Sequence, residues 1–387
     1  MTMITERNNC VGCASCLDAC PSQSIQMKED QEGFLYPIID TETCINCGAC
    51  QKVCPARQER VLVSPQAVVA VTSKDNTLLR KSSSGGLFSL LVNAFLLQHP
   101  NAYVYGAALD EDFKVYHKYI RETGDLWQLC ESKYVQSRCQ VYAEIRALLD
   151  AGEFVYFSGT LCQVAALRSF LSKEYDNLFT QGVLCHGVPS PGLWAQYVEQ
   201  LKNQHDSPLT GLHFRDKEHG WEKYGFSAIY ADGVKIMPKK EKLWYVDAYF
   251  SNFSLRPACY NCQYKFPNYY ADIVIGDFWN VKQYCPDAYH EQGVSLAIIV
   301  SNRGAHVFDS IKEDMSVHYV TMENAIRSQR SIIEKVKAPR KRAAWWADIA
   351  KKSPQKVTKR YTRPSLYRVV RAKAAKTYRN LIYFLRK

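Results

Sequence analysis

Residues 10–21 read CVGCASCLDACP, and residues 44–55 read CINCGACQKVCP. Both follow the spacing C-x2-C-x2-C-x3-C-P, so one cysteine-rich element occurs twice, offset by 34 residues. A tight loop with a cysteine at every third position wraps three corners of a four-iron cube, and a more distant cysteine closes the fourth. In two-cluster ferredoxins that fourth thiolate serves the other cube. The spacing therefore assigns Cys10, Cys13, Cys16 and Cys54 to one 4Fe-4S cluster, and Cys44, Cys47, Cys50 and Cys20 to a second. Gly12 and Gly48 suit tight turns, while Pro21 and Pro55 end each motif and fix the chain direction. Tetrahedral zinc uses two well-separated cysteine pairs, which this crowding does not provide. Residues 1–62 are expected to be a bacterial two-cluster ferredoxin-type domain.

Beyond that element the composition is that of a folded protein. The chain has 387 residues, 47% hydrophobic and 12% aromatic, enough for more than one domain with a sizeable core. The opening MTMITERNNC lacks the apolar stretch of a secretory signal, and no run approaches the length of a membrane span. A cytoplasmic location is expected, where cysteines serve as metal ligands more often than as disulfides. The net charge of +11 is unevenly distributed. Lys335 to Lys387 holds 18 Lys and Arg against one acid, Asp348, whereas residues 1–334 hold 31 against 37. Any anionic partner belongs to the tail.

From residue 66 the chain alternates short β-branched or aromatic runs with helical patterns. Strands are expected at 66–72, 103–109, 113–120, 153–159, 178–187, 272–278 and 294–301. Helices are expected at 84–98, 160–171, after Pro191 and at 303–313. This alternation predicts an α/β body with a mixed sheet, with segments 66–150 and 151–335 and a basic helical tail at 336–387.

The motifs KSSSGGLFSLL (81–91), YGAAL (105–109), SKYVQS (132–137), SGTLCQVAALR (158–168), CHGVPSP (185–191), RPACYNC (256–262) and DIVIGDFW (272–279) run in order along this body. In these motifs the chain resembles the coenzyme F420 hydrogenase/dehydrogenase beta-subunit family over about residues 66–320. Members are flavin and iron–sulfur oxidoreductases; some reduce coenzyme F420, plant relatives reduce a chlorophyll side chain, and many bacterial ones lie among polysaccharide-biosynthesis genes. The family's usual Gly-Thr-Pro-Cys reads Gly159-Thr160-Leu161-Cys162 here.

A flavin is also expected on chemical grounds, because clusters move single electrons and a flavin exchanges these for hydride equivalents. There is no GxGxxG fingerprint. Ser83, Ser84, Gly85 and Gly86 at a helix start suit a phosphate of FAD, or form a plain helix cap. The resemblance adds Lys133, Gly159 and Thr160 to the expected cofactor site. It also implies a third 4Fe-4S cluster on Cys162, Cys185, Cys259 and Cys262, the alternative being buried structural thiols. Cys130, Cys139 and Cys285 are read as ordinary thiols. His186 is either a proton donor to the flavin or a structural histidine. Arg215, Asp216 and Lys217 bind an acidic substrate or decorate a solvated turn, and Asp277 bonds either backbone or flavin.

In the tail, Leu366, Val370, Ala374, Tyr378, Leu381 and Leu385 recur at helical spacing among basic residues. Such a helix, preceded by Trp345 and Trp346, suits an anionic membrane surface at the inner face of the membrane or a partner protein. No nucleic acid is expected, since no recognition module accompanies the charge. Two functions follow. One is an oxidoreductase passing electrons between clusters, a flavin and a two-electron substrate; the other is an electron-transfer subunit that docks a catalytic partner. Either requires a redox partner protein or small-molecule carrier.

Overall fold

In the cysteine-rich region, each copy of the repeat needs two left-handed backbone positions. They are Gly12 (φ 67) and Ala14 (φ 69) in the first copy, and Asn46 (φ 55) and Gly48 (φ 74) in the second. Each pair leads into a one-turn helix, Ser15–Asp18 or Ala49–Lys52. Between the copies, β1 (Ile25–Glu29) pairs antiparallel with β2 (Leu35–Ile39). The Asp30 carboxylate closes that hairpin by accepting the N–H groups of Glu32 and Phe34 at 2.9 Å. The computed structural model describes residues 4–363.

The body is a mixed α/β fold, as its alternating pattern predicts. Its strands are β3 (Ala67–Ser73), β4 (Tyr103–Leu109), β5 (Val115–Ile120), β6 (Val155–Thr160) and β7 (Leu178–Val183). A side sheet follows, made of β8 (Leu209–Asp216), β9 (Gly225–Tyr230) and β10 (Lys235–Ile236), then β11 (Ile273–Asp277), β12 (Ser295–Ile299) and β13 (Met315–Tyr319). The eight-stranded sheet runs β13-β3-β12-β11-β7-β6-β4-β5. Its centre, β4, β6, β7 and β11, is parallel, and the flanking pairs are antiparallel.

Side chains alternate between two apolar layers, so the strands are buried on both faces. Val68, Ala70, Val155, Phe157, Leu296 and Ile298 face the helices Tyr142–Asp150 and Leu161–Leu171. Val69, Val71, Tyr156, Ala297 and Ile299 face the helices Leu87–Gln98 and Asn302–Asp309. Because β3 and the four parallel strands share one direction, their C-terminal ends lie along a single edge. In α/β sheets that edge is where ligands bind.

The chain divides into two compact units: residues up to Met237 with Ser254–Lys337, and Pro238–Phe253 with the chain from Ala338. In the second unit the helix Trp244–Phe250 joins Arg342–Ile349 and Pro354–Thr362. Trp345 is fully buried there, its ring 5.5 Å from that of Phe253. Trp345 is therefore a core residue of that unit rather than an outward-facing anchor. The amphipathic helix expected at 366–385 lies outside the described residues. Among the described residues no helix is long and apolar enough to cross a membrane.

Candidate functional site: three cysteine sets and the sheet edge

The fold gathers eleven of the cysteines into three adjoining sets. Cys10, Cys13, Cys16 and Cys54 line one cavity together with Ile4 and Pro37, around about 340 Å3 of atom-free space including its mouth. Cys54 comes from the second motif, so the backbone brings one cysteine of that motif to three of the first. Burial pushes the Cys13 thiol up to about 12, against a hydrogen bond with Ser15 Oγ at 3.3 Å. Burial also raises Cys16, helped by Cys13, Cys10, Cys54 and Cys50. Four thiols in an apolar hollow suit a cationic iron core, which binds them as thiolates.

Cys20, Cys47 and Cys50 form the second set, nearer solvent, and half-buried Cys44 lies in the loop just before Cys47. Burial raises Cys50, and Cys20 and Cys47 add to it. Burial also pushes Cys20 up, but bonds from Ser22, Ser24 and Gln23 outweigh it and lower the thiol overall. Cys47 is exposed, and the neighbouring Ile45 is 64% exposed. Since Cys16 responds to Cys50, the first two sets adjoin.

Cys162, Cys185, Cys259 and Cys262 form the third set, on the sheet edge. Cys162 is the second residue of the helix after β6, and Cys185 lies two residues beyond β7. Burial raises Cys162 well above the ordinary thiol range, and Cys185, Cys262 and Cys259 add to it. Cys259 Sγ accepts the Val188 N–H at 3.4 Å. Tyr264, buried with its hydroxyl unpartnered, lies within the electrostatic reach of Cys162, Cys13 and Cys54, between the first set and the third. Among the described residues no three His, Cys, Asp or Glu side chains close around a single metal ion.

The serine–glycine loop differs from its sequence reading. The helix starts at Leu87, three residues later than expected, with Gly86 (φ 85) as its N-cap and no side-chain cap. The polar groups before it are tied to the fold. Ser84 Oγ donates to Val294 O at 2.8 Å, Gly85 N–H donates to Ser295 Oγ at 3.0 Å, and Ser83 Oγ accepts Ser132 N–H at 2.9 Å. Lys133, next to Ser132, donates to the carbonyls of Cys130 and Gln128, and burial brings its amine down to about 8. Thr160 caps its helix reciprocally with Gln163, and its Oγ1 lies 3.1 Å from Cys162 Sγ. Gly159 and Thr160 thus stand beside the third cysteine set. His186 is half-buried next to Cys185.

Segment 131–138 runs across this edge as a strap. Glu131 pairs with His213, Ser132 with Ser83, and Gln136 with Val11 and Arg256. Ser137 bonds His117 Nδ1 and Gln163 Nε2. His117, whose Nε2 faces the Ser158 carbonyl, is brought down to about 4 by burial and stays neutral.

Of the residues read as a substrate site or a solvated turn, two face inward. Arg215 Nη1 donates to Asp277 Oδ2 at 2.5 Å, and its guanidinium lies over Tyr224 and Trp279. Its Nε and Nη2 are buried without partners. Lys217 donates to Leu79 O and Gln292 O, and burial lowers its amine to about 8. Asp216 instead bonds Ser227 and Lys235. Asp277 also accepts the Trp221 indole N–H at 2.8 Å. Trp221 and Trp279 stack with ring centroids 5.0 Å apart. Gln136, Arg256 and Trp279 lie in motifs quoted above but without a role, and Tyr264 and Trp221 were not singled out, because their partners are distant in the chain.

Residues 152–325 match the family that comprises the C-terminal part of the coenzyme F420 hydrogenase/dehydrogenase beta subunit. That stretch of the body is similar to this family. Residues 9–57 and 36–81 match 4Fe-4S dicluster domains. A chain of the xenon-derivatised F420-reducing [NiFe] hydrogenase complex from Methanosarcina barkeri is similar at 18% identity and a TM-score of 0.48, covering 70% of this chain and 90% of its own. No curated protein matches. The chain is an iron–sulfur electron-transfer protein related to the F420 hydrogenase beta subunit.

Proposed function

We propose that the chain is a flavin-dependent iron–sulfur oxidoreductase with three 4Fe-4S clusters. The observation that carries this reading is the row of cysteine sets, from the exposed Cys47 inward to Cys162 on the sheet edge. Cys162, Cys185, Cys259 and Cys262 would hold the third cluster. A flavin, FAD in this reading, would exchange single electrons for hydride equivalents when bound. The chain's own groups suit an anionic cofactor and substrate on this edge. Half-buried Lys133 and Lys217, each donating to backbone carbonyls, would add positive charge for a phosphate or carboxylate, and the uncapped helix start at Gly86 presents N–H groups. His186, beside Cys185, would supply a proton from its ring nitrogen. Arg215, held by Asp277, would orient an acidic two-electron substrate such as a deazaflavin of the F420 type or a polysaccharide precursor. The basic tail would bring the protein to an anionic membrane surface.

Iron, sulfide and flavin analysis of anaerobically purified protein tests the reading. About twelve irons and one FAD per chain are expected. About eight irons without flavin would sink both the third cluster and the flavin site. One observation favours a subunit without its own substrate: the serine hydroxyls and the Gly85 N–H of the expected cradle are already committed to the fold.

A further inference from the structure

Arg256 is fully buried, and its side chain holds the first cysteine loop from beneath. Nε donates to Cys10 O at 2.7 Å, Nη2 donates to Leu35 O at 2.9 Å, and the same Nη2 lies 3.6 Å from Cys10 Sγ. Nη1 donates to Gln136 Oε1 at 2.9 Å, while Gln136 Nε2 donates to Val11 O at 2.9 Å. The guanidinium lies over the Tyr36 ring at 4.1 Å. A Cβ on Gly12 would come within 2.6 Å of both Nη1 and Gln136 Nε2, so this loop residue must be bare.

No carboxylate among the described residues pairs with this cation, whereas Arg215, also buried, has Asp277. A buried charge without a counter-charge is costly. The missing negative charge lies where the guanidinium points, at the thiolate corner of the first cavity. The backbone of Arg256 meanwhile belongs to the third set. Its N–H donates to Val188 O, and its carbonyl accepts the Cys259 N–H, both at 2.9 Å.

We propose that Arg256 is the counter-charge of the cluster on Cys10, Cys13, Cys16 and Cys54, that it sets the reduction potential of that cluster, and that it locks the cluster against the Cys259–Cys262 loop. Reduction adds one electron to the cube, with no bond made or broken and no proton moved at Arg256. A donor N–H and a positive charge on a ligand sulfur stabilise the added electron and raise the potential. Arg256 is thus a positioning residue for electron passage between the first and third cysteine sets. The inference rests on the N-terminal cluster assignment and, for passage to the third set, on the third cluster of the proposed function.

The test uses the full chain, purified anaerobically, as wild type, Arg256→Gln, Arg256→Lys and Gln136→Glu. Reductive titration is followed by electron paramagnetic resonance, with iron and sulfide measured on the same samples. Arg256→Gln is expected to move one cluster to a more negative potential and leave the others in place. Arg256→Lys is expected to move it less, because the ammonium keeps the charge but not the fork. Gln136→Glu sets a carboxylate against the intact guanidinium and is expected to shift the same cluster negative. Unchanged potentials in fully loaded Arg256→Gln overturn the proposal, as does an equal shift of every cluster. If Arg256→Gln loses iron, unchanged potentials in Arg256→Lys and Gln136→Glu overturn it. Wild-type protein with well under about eight irons overturns the cluster assignment beneath it, a separate result.

Discussion

Gly12 and Gly48 occupy non-equivalent places in the repeat. Gly12 corresponds to Asn46, and Gly48 to Ala14, and all four have positive φ. The consequences of substitution therefore differ. A Cβ at position 48 meets nothing within 4 Å, so Gly48→Ala is expected to add only the left-handed strain of about 1–2 kcal/mol. Gly12→Ala adds a clash with Arg256 and Gln136, and is expected to cost upwards of about 2 kcal/mol and to lower cluster loading. Thermal denaturation and iron content of the two variants check this contrast. At the His213–Glu131 pair, the hydrogen bond to Glu131 raises the histidine, more than burial lowers it. A raised folded pKa makes the pair's stabilisation full below the unfolded value of about 6.5, and lost as pH rises through the folded one. The difference in melting temperature between wild type and Glu131→Gln is expected to be largest between about pH 5 and 6.5, and to shrink as pH rises through the folded pKa of His213.

Among the elements, the clearest knot is Asp272, which leads into β11. Its Oδ2 accepts Thr180 N–H at 2.8 Å and Thr180 Oγ1 at 2.7 Å, Ser301 donates to Oδ1, and Arg168 lies alongside. One carboxylate thus ties β7, β11 and the start of the helix Asn302–Asp309. Asp272→Ala is expected to cost about 3 kcal/mol, read from chemical denaturation, because the donors it satisfies are left buried. The central elements were legible where an apolar run had the right period. The strand at 103–109 has the expected bounds, and the helix Leu161–Leu171 begins one residue later than read. The helix Tyr142–Asp150, buried at Tyr142, Ile145 and Leu149, carries the period but was not assigned. The side sheet escaped because β8 is interrupted by register shifts and half exposed. For the site, the cysteine spacing was readable because cluster ligands sit in local loops. The Arg256 bridge spans 246 residues and leaves no local trace.

Across the whole molecule, the second unit depends on two distant stretches of chain. Removing Trp345 leaves a hole among Phe253, Trp346 and their neighbours. Trp345→Ala in the full chain is expected to weaken this unit by about 3–5 kcal/mol. The check is early proteolytic cleavage within 238–253 or beyond residue 338, while the main sheet stays protected.

The exposure gradient across the cysteine sets has a consequence for handling in air. Ile45 and Cys47 are open to solvent, whereas Cys13 and Cys16 are buried in a cavity that Ile4 and Pro37 help to line. A cube held in part by exposed Cys47 would be the first lost. On oxygenation the visible absorbance should decay in two phases, the first taking about four irons per chain, and a single phase would mean that both cubes are equally unprotected.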